Sequence, residues 1–186
     1  GCTVTCSELD ERIKTNDGAL TEIIQRKRKT ATPENVIDIH RKCEYPSCAL
    51  SNFYEHPFVI DSVRCSSMEG FLQSLKFRSI NKQKKVCLLS GKEAKNSARH
   101  TLAQLRWRIT QTLYWQGVAY RRNSEEYKQL LDRAYDEISK NTAFITALKA
   151  SANAELIHTI GSNDPKKTVL TEEEFVSQLK RIRQKI

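Results

Sequence analysis

Apolar side chains recur along the chain at the spacings of regular structure. Met68, Phe71, Leu72 and Leu75 fall at i, i+3, i+4 and i+7, so they share one helix face and predict a buried stripe. Ser66 and Ser67 precede them, with hydroxyls able to accept the first free amides. Further helices are predicted over 81–88, 91–104, 123–139 and 141–149. Ser124 caps the third of these, Glu125 and Glu126 suit its first turn, and Leu130, Leu131, Ala134 and Ile138 form its apolar face. Thr171-Glu172-Glu173-Glu174 is a capping box opening a last helix that turns Phe175, Leu179 and Ile182 inward. Strands are predicted at Val36-Ile37-Asp38-Ile39, at Phe58-Val59-Ile60 before a turn at Asp61-Ser62, and within Ala154 to Ile160. Tyr45-Pro46-Ser47 reads as a turn. Residues 7–29 read as a helix with a basic end, interrupted near Asp17-Gly18, and Thr30 to Glu34 as a linker. The predicted fold is one mostly helical α+β domain at 36–186 with short antiparallel strands, behind an N-terminal helical extension at 1–35.

Composition narrows this picture. With 186 residues, 39% of them apolar, the chain can fill one core but not two large ones. The longest stretch free of Asp, Glu, Lys and Arg runs from Ile109 to Tyr120, twelve residues, against the roughly 18 of a membrane span. The start, Gly1-Cys2-Thr3-Val4, lacks a charged-then-apolar leader, which favours a cytoplasmic protein. The six cysteines are therefore expected reduced. Cys43 and Cys48 make only half of a zinc pattern, and His40 and His56 flank them, so no metal is expected.

Charge is unevenly spread. Ten Lys and Arg and one acid, Glu93, lie between Lys76 and Arg108, whereas the rest of the chain has 21 basic and 21 acidic residues. The whole +9 net charge thus sits in that segment, which suits a phosphate-bearing partner or a solvated helix face. Nothing resembles a groove-reading DNA motif.

Candidate chemistry lies on the Met68 helix. Glu69, Gln73 and Lys76 fall at i, i+4 and i+7 and share a second face. The apolar residues cover most of the circumference, so this polar face is expected to be buried and to require partners or a function. Ser51-Asn52-Phe53-Tyr54 reads as a loop rich in hydrogen-bonding and aromatic groups. Tyr114-Trp115-Gln116-Gly117 offers aromatics as core plugs or as base-stacking platforms. With no phosphate-binding glycine loop and no nucleophile elbow, carboxylate chemistry is the one readily available.

These residues carry a resemblance. Leu50-Ser51-Asn52-Phe53-Tyr54, then Ser67-Met68-Glu69-Gly70-Phe71-Leu72-Gln73-Ser74-Leu75-Lys76-Phe77, resembles the NADAR, or YbiA-like, family. Tyr114-Trp115-x-Gly117, Ser124-Glu125-Glu126-Tyr127, Leu131-Asp132-x-Ala134-Tyr135 and His158-Thr159-Ile160-Gly161 continue it. Thr168-Val169-Leu170-Thr171-Glu172-x-Glu174-Phe175 resembles a phage and bacterial branch. The resemblance runs from about Ile39 to Arg183. It implies a cofactor-free N-glycosidase that removes ADP-ribose from a modified guanine base, or alternatively hydrolyses ribosylamino intermediates of riboflavin synthesis. A non-catalytic ADP-ribose or nucleotide binder is the other alternative, and ADP-ribosylated nucleic acid a further partner. In this reading Glu69 is the reacting carboxylate and Asp132 a second acid or orienter. Lys76 pairs with Glu69 or holds a phosphate. Asn52 binds ribose or base, Trp115 stacks on the base, and Phe53, Gln73 and His158 complete the pocket. Riboflavin-type members read Glu-His-Tyr where this chain has Glu69-Gly70-Phe71. They also carry an acidic stretch where this chain has His158-Thr159.

Overall fold

The computed structural model describes residues 36–186; the extension read at 1–35, with its predicted helix and linker, lies outside the described residues. The order of elements is β1 (Val36–Asp38), α1 (Ser47–Leu50), β2 (Phe58–Ile60), β3 (Val63–Cys65), α2 (Met68–Ser74), α3 (Ile80–Cys87), α4 (Gly91–Ser97), α5 (Leu102–Thr110), β4 (Thr112–Trp115), β5 (Val118–Arg121), α6 (Glu125–Ile138), α7 (Thr142–Ala150), β6 (Glu155–Ile157) and α8 (Glu172–Arg183). Among the described residues no helix is long and apolar enough to cross a membrane.

The central element is α2. The Ser67 hydroxyl accepts from the Gly70 amide and donates to the Leu89 carbonyl at 3.1 Å, so one side chain starts the helix and ties it to the turn after α3. All seven residues of α2 are buried. The helix packs on α3 and α4, and Phe71 meets Phe58 and Trp115 edge-on, at 6.3 and 5.0 Å between ring centres.

The helices at α3, α6, α7 and α8 lie close to their predicted spans. The helix predicted over 91–104 is instead two. Its first part ends at Ser97, His100 takes a left-handed backbone (φ +59°), and the Thr101 hydroxyl accepts from the Gln104 amide to start α5. A threonine that can cap a new helix competes with continuing the old one, and the apolar spacing alone does not register that competition.

Three strand pairs form among the described residues. β2 and β3 make an antiparallel hairpin through Asp61 and Ser62, whose φ values are +47° and +61°, as a tight two-residue turn demands. β4 and β5 make a second, through Gln116 and Gly117; the sequence reading saw only aromatics beside a glycine there. The third pair, β1 with β6, is parallel. It joins the first and last described strands across most of the domain, a separation that a parallel pairing can use and a tight hairpin cannot.

The C-terminal helix is held by an ion pair between a buried arginine and a partly exposed glutamate. Arg122, whose side chain is 1% exposed, donates to both carboxylate oxygens of Glu174 at 2.9 and 2.7 Å and to the Thr168 carbonyl at 2.8 Å. Glu174 also accepts from the Thr171 amide, completing the predicted capping box. Glu174→Ala would strand a buried guanidinium, and the expected cost is about 3–5 kcal/mol. Chemical denaturation checks this; an unchanged midpoint would mean that Arg122 finds water instead.

Candidate active site on helix α2

Helix α2 and the turn that follows it bring Glu69, Gln73 and Lys76 together, and all three are buried, at 7–8% exposure. Gln73 links the charges. Its Nε2 donates to Glu69 Oε1 at 2.9 Å, and its Oε1 accepts from Lys76 Nζ at 2.6 Å. The amide can satisfy both only in this orientation, because a carboxylate accepts and an ammonium donates. Lys76 Nζ also lies 5.9 Å from the centre of the Trp107 ring, within reach of a cation–π attraction.

The Ser51–Tyr54 loop closes on the same face. The Asn52 carbonyl accepts from the Glu69 amide at 2.9 Å, and Asn52 Oδ1 accepts from the Tyr135 hydroxyl at 2.9 Å. Helix α6 therefore fixes the Asn52 side chain, and with it the start of α2. Phe53 is half-buried beside them, with Lys95 Nζ 5.3 Å from its ring centre.

Burial sets the electrostatics. It pushes the Glu69 carboxyl above the ordinary carboxylate range, against the Gln73 hydrogen bond and the charges of Lys95 and Lys76. It pulls Lys76 down to about 8; Glu69 opposes the fall, and Arg108 and Lys95 add to it. Burial likewise raises the Tyr135 phenol well above its usual value, so Tyr135 remains a donor. The cluster thus joins, through Gln73, a carboxyl more basic than usual to an amine less basic than usual, and neighbours of this kind suit proton transfer and charge stabilisation.

Not every predicted residue joins this cluster. Trp115 sits in the core at 1% exposure, against Phe71, and its indole N–H donates to Asp61 Oδ2 at 2.7 Å. The inward alternation of β4 buries Leu113 and Trp115 together, so the ring is a core plug and not an accessible stacking platform. Asp132, on α6, accepts from Gln178 and lies 4.0 Å from Arg181, both on α8. The structure does not bring it into hydrogen-bonding or ion-pair contact with Glu69. His158 donates from Nδ1 to the Ile39 carbonyl and meets Phe175 edge-on at 5.0 Å. Phe175 in turn lies 6.5 Å from Tyr135, and among the described residues no hydrogen bond joins His158 to the Glu69–Gln73–Lys76 cluster.

The sequence reading gave no role to Tyr135, Trp107, Lys95 or Arg108. Tyr135 was visible as the end of the Leu131–Tyr135 motif. The two cations were visible only as members of the basic segment. Gly70 also gains a physical reason. A Cβ there would lie 2.5 Å from the Leu89 carbonyl oxygen and 2.9 Å from that of Cys87. The turn after α3 presses on α2 at that point, and no side chain fits. Among the described residues, no group of three His, Cys, Asp or Glu side chains is placed to hold a metal ion.

The family described as bacteriophage protein GP30.3 matches residues 44–184, which include every residue of this cluster. The chain belongs to that family. A relative from Enterobacteria phage T4, described as an uncharacterized 17.1 kDa protein in the Gp30–rIII intergenic region, is 39% identical over 150 residues, covering 79% of this chain and 96% of the relative. The solved structure of YbiA from E. coli is similar at a TM-score of 0.52 and 15% identity, over 83% of this chain and 86% of that one. The GP30.3-family chain thus has a YbiA-like fold.

Trp115→Ala is expected to lower stability by about 3–5 kcal/mol, the scale of removing a buried indole, with Trp115→Phe losing less. A thermal melt checks this; a melting temperature close to wild type in the alanine variant would return the ring to the list of accessible platforms.

Proposed function

We propose that this chain is an N-glycosidase of the NADAR type, which hydrolyses the bond between a ribosyl carbon and a base nitrogen, with ADP-ribose on a guanine base as the substrate favoured. The observation that carries this reading is the buried Glu69, bridged by Gln73 to Lys76 and framed by the Asn52 loop. The YbiA-like fold supports it at the level of architecture only.

The chemistry needs little more. Breaking a ribosyl C–N bond leaves positive charge on the sugar, and an oxocarbenium-like carbon is stabilised by a nearby carboxylate, by analogy with glycosidases. Glu69 supplies that carboxylate, and its raised basicity also suits it to take a proton from the attacking water. The water oxygen bonds to the anomeric carbon, the C–N bond breaks, and the proton that Glu69 took from the water passes to the leaving base nitrogen, which restores the carboxylate. Lys76 holds Glu69 in place through Gln73. Its charge, with those of Lys95 and Arg108, attracts a phosphate-bearing substrate. Asn52 accepts from Tyr135, which leaves its amide N–H groups for ribose or base, and half-buried Phe53 is the apolar contact beside it. Asp132 and His158 act at most by positioning α6 and Tyr135. The cytoplasm is the proposed setting.

The test is a product assay with the purified chain on ADP-ribosylated DNA, NAD and a ribosylaminopyrimidine phosphate. The expected product is ADP-ribose released from the modified base. Release of ribose phosphate from the pyrimidine alone would move the substrate to the riboflavin-type reading, and binding with no product would make the chain a nucleotide-binding module. Glu69→Gln keeps the shape of the side chain and should reduce turnover by at least ~10²-fold with an unchanged fold by circular dichroism. Turnover close to wild type would remove Glu69 from the reaction.

A further inference from the structure

Helix α5 turns two very different faces to its surroundings. Ala103 and Trp107 are buried, and Trp107 reaches Lys76. On the other side Leu102, Leu105 and Ile109 are exposed by 77, 57 and 74%. These three fall at i, i+3 and i+7, so they form one continuous aliphatic stripe on the helix surface. Isolated exposed leucines are ordinary on protein surfaces; three aligned on nine residues of helix are a patch. The stripe borders an open hollow of about 440 Å³ lined by His100, Thr101, Leu102, Gln104, Leu105 and Arg108.

The charge along this stretch of sequence has one sign. From Ala94 to Ser124 the chain contains no Asp or Glu, and Arg99, Arg106 and Arg108 lie on and just before α5. Phosphate-backbone binding alone would account for the arginines but not for the aliphatic row between them, since nucleic-acid interfaces are polar. An aliphatic row rimmed by cations fits the face of an amphipathic helix whose flanks are acidic.

We propose that α5 is a docking surface for an acidic amphipathic helix of a partner protein. The partner lays its apolar residues over Leu102, Leu105 and Ile109, and its carboxylates meet Arg99, Arg106 and Arg108. The surface lies on the same helix that carries Trp107 and Arg108 to the Glu69–Lys76 cluster, so an occupant would sit beside the candidate active site. This does not depend on which reaction that site performs.

The probe is a designed helical peptide with leucines at i, i+3, i+4 and i+7 and glutamates on its flanks, compared with a twin that carries lysines instead. Fluorescence anisotropy with the full chain should show binding of the acidic peptide only, weakening as salt rises. Leu105→Ser with Ile109→Ser should reduce that affinity by about tenfold or more, the scale of losing one interface anchor. Both positions are exposed, and the melt of this variant confirms folding. Arg99→Glu with Arg106→Glu should reverse the preference between the two peptides. Failure of the acidic peptide to bind, or equal binding of its basic twin, overturns the proposal. So does a finding that the serine variant loses instead a concentration-dependent dimer, or binding to duplex DNA or to anionic lipid vesicles.

Discussion

A carboxyl and an amine lie buried together, Glu69 in one short helix and Lys76 in the turn that follows it. Taking a carboxylate and an ammonium out of water costs several kcal/mol for each ion, even after relaxation. On α2 the cost is met by geometry. Glu69 and Lys76 sit seven residues apart, nearly two turns, too far for direct contact along the helix but spanned by the Gln73 amide. The rest of the domain is arranged around that requirement. The Met68–Leu75 stripe anchors the helix in the core, the Ser67 cap and Gly70 let the turn after α3 close on it, and the Asn52 loop holds its first turn through Tyr135.

The polar track and the apolar stripe also explain each other. The core residues exclude water from the Glu69 face, which makes the carboxylate more basic and the amine less so. Without the packing these would be ordinary surface side chains. Without the charges α2 would be an ordinary buried helix. Lys95 and Arg108 add positive charge near the cluster, which favours anionic ligands over neutral ones.

Much of this was legible in the sequence because it is local. Caps at Ser67, Ser124 and Thr171, the stripe on α2 and the Glu69–Gln73–Lys76 spacing depend on residues within one or two turns of each other. What was not legible is long-range. The parallel β1–β6 pair and the inward turn of Trp115 on β4 depend on partners far along the chain, as does the commitment of Asp132 to Gln178 on α8. A tryptophan beside a glycine reads the same whether the ring faces a core or a cleft. An aspartate one residue after a buried leucine reads the same whichever helix packs against it. The break at His100 was missed for a local reason: alanines on both sides of a capping threonine keep a helical spacing through the point where the helix stops.

Lys76 is buried and linked to Glu69 through the Gln73 amide. The direct measurement is the titration of the Lys76 side chain by NMR, using the Cε shift in selectively labelled lysine, with Lys76→Arg to assign the signal. The expected midpoint in the wild-type chain is near 8, against about 10.4 for a free lysine. Glu69→Gln should lower it further, because the carboxylate that favours the charged amine is gone. A midpoint near the free value, unmoved by Glu69→Gln, would show that Lys76 is neither buried nor coupled to Glu69.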